Sequence, residues 1–296
     1  MQNTVPSRNL YQTVTDQILD ALNSGPGSFQ MPWHATGRAA SLPLNASTDA
    51  PYRGVNVLSL WIAAMQHGYP SGRWASYRQW AHLKAQVRKG ERGTLIVFYK
   101  PVPPKDGEEE NASPRYVLKS SHVFNAAQVE GWSPAEVSSD PKFDPHAQAE
   151  AFVGATGARV RFGFQHAVYR RDLDDIEMPS PAWFTGSSTS TSLEAYYATL
   201  LHELTHWSGA PHRLGREFGK RYGDNAYAFE ELVAELGAAF LCAELGIANV
   251  PRPDHAAYLG AWIKVLGGDN RAIFKAATLA QQAVEYLVGI ATGNRC

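Results

Sequence analysis

Cysteine is scarce in this chain: there are two in 296 residues, Cys242 inside an apolar run and Cys296 at the last position. Neither has metal-ligand spacing, and so sparse a pair excludes a disulfide-stapled fold and predicts reduced thiols in the cytoplasm. Long apolar runs are also missing. No stretch approaches the roughly 20 residues that a bilayer crossing needs, and the N-terminus lacks the charged-then-apolar pattern of an export signal. Neither membrane insertion nor export is expected. Net charge is nearly absent too, at −1, but that figure hides an asymmetry. Residues 1–131 carry 13 Lys and Arg against 9 Asp and Glu, a balance of +4, whereas residues 132–296 carry 14 against 19, a balance of −5. No internal repeat occurs at solenoid periods.

What is present reads as a mixed α+β chain. Residues 9–22 put Leu10, Val14, Ile18 and Leu22 on one helical face, with Gly25-Pro26-Gly27 as a stop. Further helices are expected over 55–67 and 77–86, and strands over 95–99, 116–118 and 123–124. The polar segment 103–114 between strands, with Asp106, Glu108, Glu109 and Glu110, reads as a solvated turn. Scattered Ser, Pro and Asp after Trp132 mark a linker, dividing the chain into 1–132, a linker over 133–149, and 150–296. Beyond it come a helix over 147–156, strands over 160–164 and 167–170, two helices carrying the motifs below, and helices over 255–266 and 270–288. The acidic run Asp172, Asp174, Asp175 and Glu177 reads as a solvated turn.

The densest chemistry lies in His202-Glu203-Leu204-Thr205-His206. On a helix, positions i and i+4 share a face, so both imidazoles reach one metal ion, while Glu203 is set to act as a base on water at that ion. Thr191 and Glu194 form a capping box that starts such a helix. Leu193, Tyr197, Leu200, Leu201 and Leu204 give it an apolar stripe, and Gly209 then Pro211 end it. A third ligand is expected from the helical run over 229–241, where Glu231 and Glu235 again share a face. Carboxylates on so apolar a helix are costly unless paired or metal-bound. The preferred assignment makes Glu231 a ligand and Glu235 a buttress behind a ligating histidine; the reverse stays open. Two imidazoles and a carboxylate suit one divalent ion, zinc best, with manganese an alternative.

The first half carries a different constellation. From Arg53 to Lys100 there are eight cations and one acid, Glu91. Aromatic rings are interleaved among them, most densely from Trp74 to Trp80. Cations that track phosphates, with rings on which bases stack, suit a single strand of nucleic acid. The residues that carry this expectation are Arg53, Arg73, Trp74, Tyr77, Arg78, Trp80, Lys84, Arg88, Lys89 and Arg92. A hydrophobic core with solvated cations outside it accounts for the composition equally well.

Several stretches also resemble a known family. Pro32-Trp33, Tyr52-Arg53-Gly54-Val55-Asn56, Gly68-Tyr69, the Trp74 to Trp80 stretch, Arg88 to Thr94 and Val123-Phe124-Asn125 are similar to the N-terminal domain of ArdC-type antirestriction proteins. That domain type also begins some plasmid-encoded primases. Residues 202–209 and 227–236 resemble the zincin-like metallopeptidase domain that follows it, and Tyr258-Leu259, Trp262, Ala276-Ala277 and Ala280-Gln281 continue the likeness. The resemblance implies an N-terminal single-stranded-DNA-binding domain of helices and a small sheet, then a zincin-like helix-sheet unit. It further implies a plasmid-encoded protein, acting in the cytoplasm of a donor or recipient bacterium, that protects incoming DNA from restriction during conjugation. Two classes of function compete. One is a DNA-binding module whose metal domain is structural or regulatory; the other is a zinc metallopeptidase brought by DNA to a protein partner such as restriction machinery.

Overall fold

The computed structural model describes residues 7–23, 41–102, 115–133, 144–186, 190–218, 225–247 and 255–293. The expected turn over 103–114, most of the linker, Gly25-Pro26-Gly27 and Pro32-Trp33 lie outside them. Helix α1 (Ser7–Asn23) buries Leu10, Val14, Ile18 and Leu22, as their spacing predicts. Strand β1 (Leu44–Asn45) precedes α2 (Val55–His67), which is bounded by Gly54 and by Gly68, a left-handed cap at φ 63°. The left-handed conformation satisfies the last helical carbonyls and favours a residue without Cβ.

Strand β2 (Arg73–Ser76), which the sequence reading does not assign, leads into helix α3 (Tyr77–His82), shorter than the helix expected over 77–86. Ser76 and Gln79 form a capping box that starts α3 after Trp74, and Lys84, at φ 59°, turns the chain out of it. Strand β3 (Gln86–Val87) then pairs with β6 (Val129–Glu130), which is why the expected helix stops early. Strands β4 (Thr94–Val102) and β5 (Arg115–Asn125) form a long antiparallel ribbon. The polar Lys119-Ser120-Ser121-His122, read as a break between two strands, is continuous ladder. The sheet order is β1-β2-β5-β4.

The second half opens with α4 (Pro145–Thr156), started by the Asp144 side chain accepting from His146 and Ala147 N–H groups. Strands β7 (Arg159–Phe162), β8 (Val168–Arg170) and β9 (Asp175–Met178) form a sheet in the order β7-β9-β8. Strand β9 corrects the reading of the acidic run. Asp175 and Glu177 are buried, and the guanidinium groups of Arg159 and Arg161 reach Asp175 and Glu177 respectively at 2.7 Å. Basic side chains on β7 and β8 neutralise acids that one-dimensional patterning assigns to solvent.

Helices α5 (Ser192–Ser208), α6 (Asn225–Leu245), α7 (His255–Gly268) and α8 (Ala272–Ala291) complete the fold. A Cβ at Gly237 would lie 2.5 Å from Thr205 Cγ2, so glycine is what lets α6 approach α5 this closely. The core does not stop at the expected linker. Tyr11 of α1 meets Phe274 of α8 edge-on at 4.7 Å, Trp61 of α2 lies 5.9 Å from Phe240 of α6, and Thr15 donates to the Asn270 carbonyl at 2.8 Å. Leu10, Val57, Leu204, Phe240 and Ile273 belong to one buried cluster.

Candidate metal centre

Helix α5 starts where its capping box predicts: Glu194 N–H donates to Thr191 Oγ1 at 3.2 Å, and Thr191 N–H to Glu194 Oε2 at 2.7 Å. Tyr197, Leu200, Leu201 and Leu204 of the expected stripe are buried, whereas Leu193, in the first turn, is exposed; His202 and His206 are buried and face Glu231 of α6. His202 Nε2 lies 3.6 Å from Glu231 Oε2, and His206 Nε2 lies 3.4 Å from Glu231 Oε1. Tetrahedral ligands at zinc-like bond lengths stand about 3.4 Å apart, so these separations suit a small divalent ion. The ligand atoms of His202, His206 and Glu231 all lie within 4.8 Å of one another.

The opposite ring nitrogens face other carboxylates. His206 Nδ1 is 3.1 Å from Glu230 Oε1, and His202 Nδ1 is 3.5 Å from Glu235 Oε2, the latter beyond ordinary hydrogen-bond length. Glu231 is thus the residue grouped with both histidines, and Glu235 stands behind one of them. A carboxylate in hydrogen-bond contact, as Glu230 is with His206 Nδ1, fixes ring orientation and raises ligand basicity. Burial alone would push the His206 imidazolium toward neutrality, but Glu231 and Glu230 outweigh it and raise its pKa to about 10. Burial opposes ionisation of Glu231 likewise, and His206 and His202 hold it below the usual carboxylate range. Two imidazoles and a carboxylate, desolvated and already compensating one another's charge, form a donor set that fits a divalent cation.

Sequence reasoning missed Glu230 and Arg216. Arg216 is buried; its Nη2 is 2.9 Å from Glu230 Oε1 and 2.5 Å from the Thr205 carbonyl, and its Nη1 donates to Ser208 Oγ at 2.9 Å. Gly209 does more than end α5, since a Cβ there would stand 2.8 Å from the Arg216 guanidinium carbon. Glu230 was visible as an acid on an apolar helix, the same signal that marked its neighbours. Arg216 sits in a turn without periodicity and gave none.

Glu203 is buried, and its Oε2 accepts from the Tyr169 N–H of β8 at 2.9 Å. Strand β8 is itself pinned: Tyr169 donates through its hydroxyl to Asp174 at 2.8 Å, and Arg213 bonds both Asp174 and that hydroxyl. Hydrogen bonding from Arg213 leads in pulling the Asp174 carboxyl down to about 2. The Arg213 guanidinium also lies 3.7 Å over the Trp207 ring, tying this network back to α5.

The basic half divides differently from expectation. Trp74 and Trp80 are core residues, 1% and 0% exposed, so neither ring offers a face to a base. Trp80 instead donates to the Phe124 carbonyl at 3.0 Å and packs edge-on against Trp132. Arg53 pairs with Glu285 of α8 at 2.9 Å, Arg73 with Asp49, and Arg88 with Glu91 at 2.6 Å. Tyr77, Arg78, Lys84, Lys89 and Arg92 are exposed. No helix among the described residues is long and apolar enough to cross a membrane.

A histidine pair one turn apart, a glutamate beside the first and a carboxylate from a second helix, set below a small sheet, define the zincin-like class of metallopeptidase domains. The family profile described as a zincin-like metallopeptidase matches residues 147–279, and the profile for the N-terminal domain of anti-restriction factor ArdC matches residues 8–129. The metal-free crystal structure of antirestriction protein ArdC from plasmid R388 superposes with a TM-score of 0.79 at 37% identity, covering 97% of this chain and 100% of that one. Its Mn(II)-bound form gives 0.77 at 39% identity, covering 97% and 99%. An uncharacterised protein, y4eC, of Sinorhizobium fredii is 43% identical over 94% of this chain and 91% of its own. DNA primase TraC of Escherichia coli is 35% identical over 94% of this chain but only 27% of its own length. The chain belongs to the ArdC antirestriction family.

Proposed function

We propose that this protein binds single-stranded DNA through its N-terminal half and shields incoming DNA from host restriction during conjugation, in the bacterial cytoplasm, while its C-terminal half holds one divalent ion. The observation that carries this reading is similarity over essentially the full length of an antirestriction protein from a plasmid. Five exposed residues of the basic half, four of them cationic, support the DNA-binding part. His202, His206 and Glu231 would hold the ion, with Glu235 and Glu230 orienting the rings. Zinc suits the donor set, and the manganese-bound relative supports manganese as an occupant.

Glu203 favours a second reading, a DNA-targeted metallopeptidase that acts on a protein partner such as restriction machinery. A structural ion needs no buried carboxylate beside its ligands, whereas amide hydrolysis needs a proton acceptor there. The bound ion supplies Lewis acidity toward a substrate carbonyl. Glu203, anchored to the Tyr169 N–H, supplies the base.

The Glu203→Gln variant separates the readings. It should retain fold, metal content and single-strand binding. Protection that persists in a conjugation assay into a restricting host supports DNA binding as the mechanism. Loss of protection with binding intact establishes proteolysis instead. Loss of strand binding would refute the division of labour between the halves.

A further inference from the structure

The register of β4 and β5 sorts their side chains onto two faces. On one, Val97 and Leu118 enter the main core, and the Tyr99 hydroxyl lies 3.0 Å from that of Tyr11. On the other, Ile96 packs against the cluster of Leu60, Ala63, Trp74 and Val123, and beyond it no described element covers the face. Phe98 stands directly opposite Lys119, and the next pair on that face is Lys100 with Val117; all four are exposed, Phe98 by 46%. Strand β2 pairs with β5 only from Val123 to Asn125. The Asn56 amide closes the outer edge of β4 at Val97 with two 2.8 Å bonds, and among the described residues no other strand continues the sheet past that point.

We infer that this outer face of the ribbon is a stacking platform for single-stranded nucleic acid, Phe98 taking a base and Lys100 and Lys119 the flanking phosphates. The inference rests on the DNA-binding reading above and places part of that site on residues outside the Arg53–Arg92 segment. Cross-strand neighbours lie about 5 Å apart and diagonal ones about 7–8 Å. Lys100 and Lys119 are such a diagonal pair, and neither meets a carboxylate among the described residues. Two like charges beside an exposed ring repel each other until an anion arrives. A polyanion with planar apolar faces meets both requirements at once, since base–aromatic stacking is tolerant of sequence and phosphates neutralise the ammonium groups. A second copy of the chain does not, because the same face would bring these lysines against themselves. The segment joining the strands, with Asp106 and Glu108 to Glu110, lies outside the described residues.

The test titrates a fluorescent mixed-sequence single strand with the full-length protein, following anisotropy. Phe98→Ala and Phe98→Leu should each weaken binding about tenfold, while Phe98→Trp retains it. Leucine keeps the apolar bulk and tryptophan keeps the stacking face, so this pattern separates stacking from packing. Lys100→Gln with Lys119→Gln should lower the slope of log affinity against log salt by about 1.4, two phosphates' worth on a single strand. Equal binding by wild type and all ribbon variants would overturn the platform while leaving DNA binding intact. Wild type that binds no strand would overturn DNA binding itself. Equal affinity for polyglutamate, or concentration-dependent dimerisation abolished by Phe98→Ala in sedimentation velocity, would also overturn the assignment.

Discussion

Replacing Arg216 with methionine keeps the bulk of a buried side chain and removes its charge. In the native protein that guanidinium bonds Glu230, Ser208 and the Thr205 carbonyl, and Glu230 in turn faces His206 Nδ1. Without it Glu230 keeps a buried negative charge beside Glu231, and among the described residues the His206 ring is what remains to answer it. Breaking a buried ion pair by removing one partner costs about 3–5 kcal/mol. For a chain of this size that lowers the melting temperature on the order of 10 °C. Arg216→Met should therefore melt about that much earlier in the presence of a chelator, and its metal affinity, read by calorimetric titration, should fall about 10–100-fold because a group orienting a ligand has been disturbed. Adding Glu230→Gln removes the stranded charge. The double variant should regain most of the stability but not the metal affinity, since a neutral amide is a weaker partner for the imidazole. A single variant that melts within about 2 °C of wild type with unchanged metal affinity would refute the claim that Arg216 and Glu230 organise the centre.

In the metal-free protein His206 keeps its proton up to about pH 10, against about 6.5 in an unfolded chain. Its stabilising contribution is therefore fully present below about pH 6.5 and lost as pH rises through about 10. Because a metal displaces that proton, apparent affinity should rise up to tenfold per pH unit between about 6.5 and 9. A flat profile over that range, with calorimetric heat independent of buffer, would exclude a protonated His206. Gly237→Ala drives a methyl group to 2.5 Å from Thr205 Cγ2. The gain in helix propensity of about 1 kcal/mol is smaller than the overpacking cost, so the net change should be a loss of about 1–2 kcal/mol in urea denaturation. Thr205→Ser should recover part of the loss by removing the colliding methyl, while its hydroxyl still stands 2.9 Å from the added Cβ; stability unchanged by either substitution would show that the helices are not in tight contact there.

Why some of this was legible and some was not follows from the range of each interaction. The α5 signal was complete because a capping box, a 3.6-residue stripe and an i, i+4 histidine pair are all local. Glu231 and Glu235 were legible for the same reason, as acids out of place on an apolar helix. The failures share a different cause. Strand β2 was hidden because Trp74 and Ala75 are buried on both sides of a short strand, which erases the alternation that would reveal it. Asp175 and Glu177 looked solvated because their partners are Arg159, Arg161 and Arg170 on neighbouring strands. The tryptophans of the basic half were offered as stacking faces on composition, which does not distinguish a ring at the surface from one at the centre. Trp74 and Trp80 went inward, and the exposed ring that stands beside Lys100 and Lys119, Phe98, lay in what read as an ordinary hydrophobic strand.

The packing also bears on how the two halves can act. Helix α2 belongs to the first half by sequence, yet its Asn56 holds the edge of β4 while its Trp61 packs on Phe240 of α6, the helix that carries Glu235. The same helix therefore braces the ribbon and the helix that carries Glu231. Contiguity of this kind is not itself evidence of communication between sites, which requires an element with two arrangements that both sites bias. It does constrain the alternatives. A DNA-binding half tethered by a flexible linker would raise the local concentration of a peptidase without altering it. A half that shares its core with the metal helices would expose Leu10, Val14, Val57 and Phe240 on loosening, so the two halves should melt in a single transition. Among the described residues, the groups that meet His202 and His206 all come from the second half, but helix α6, which carries Glu231, is packed from both sides of the expected boundary, so truncation at residue 132 should destabilise the helix that supplies the third ligand.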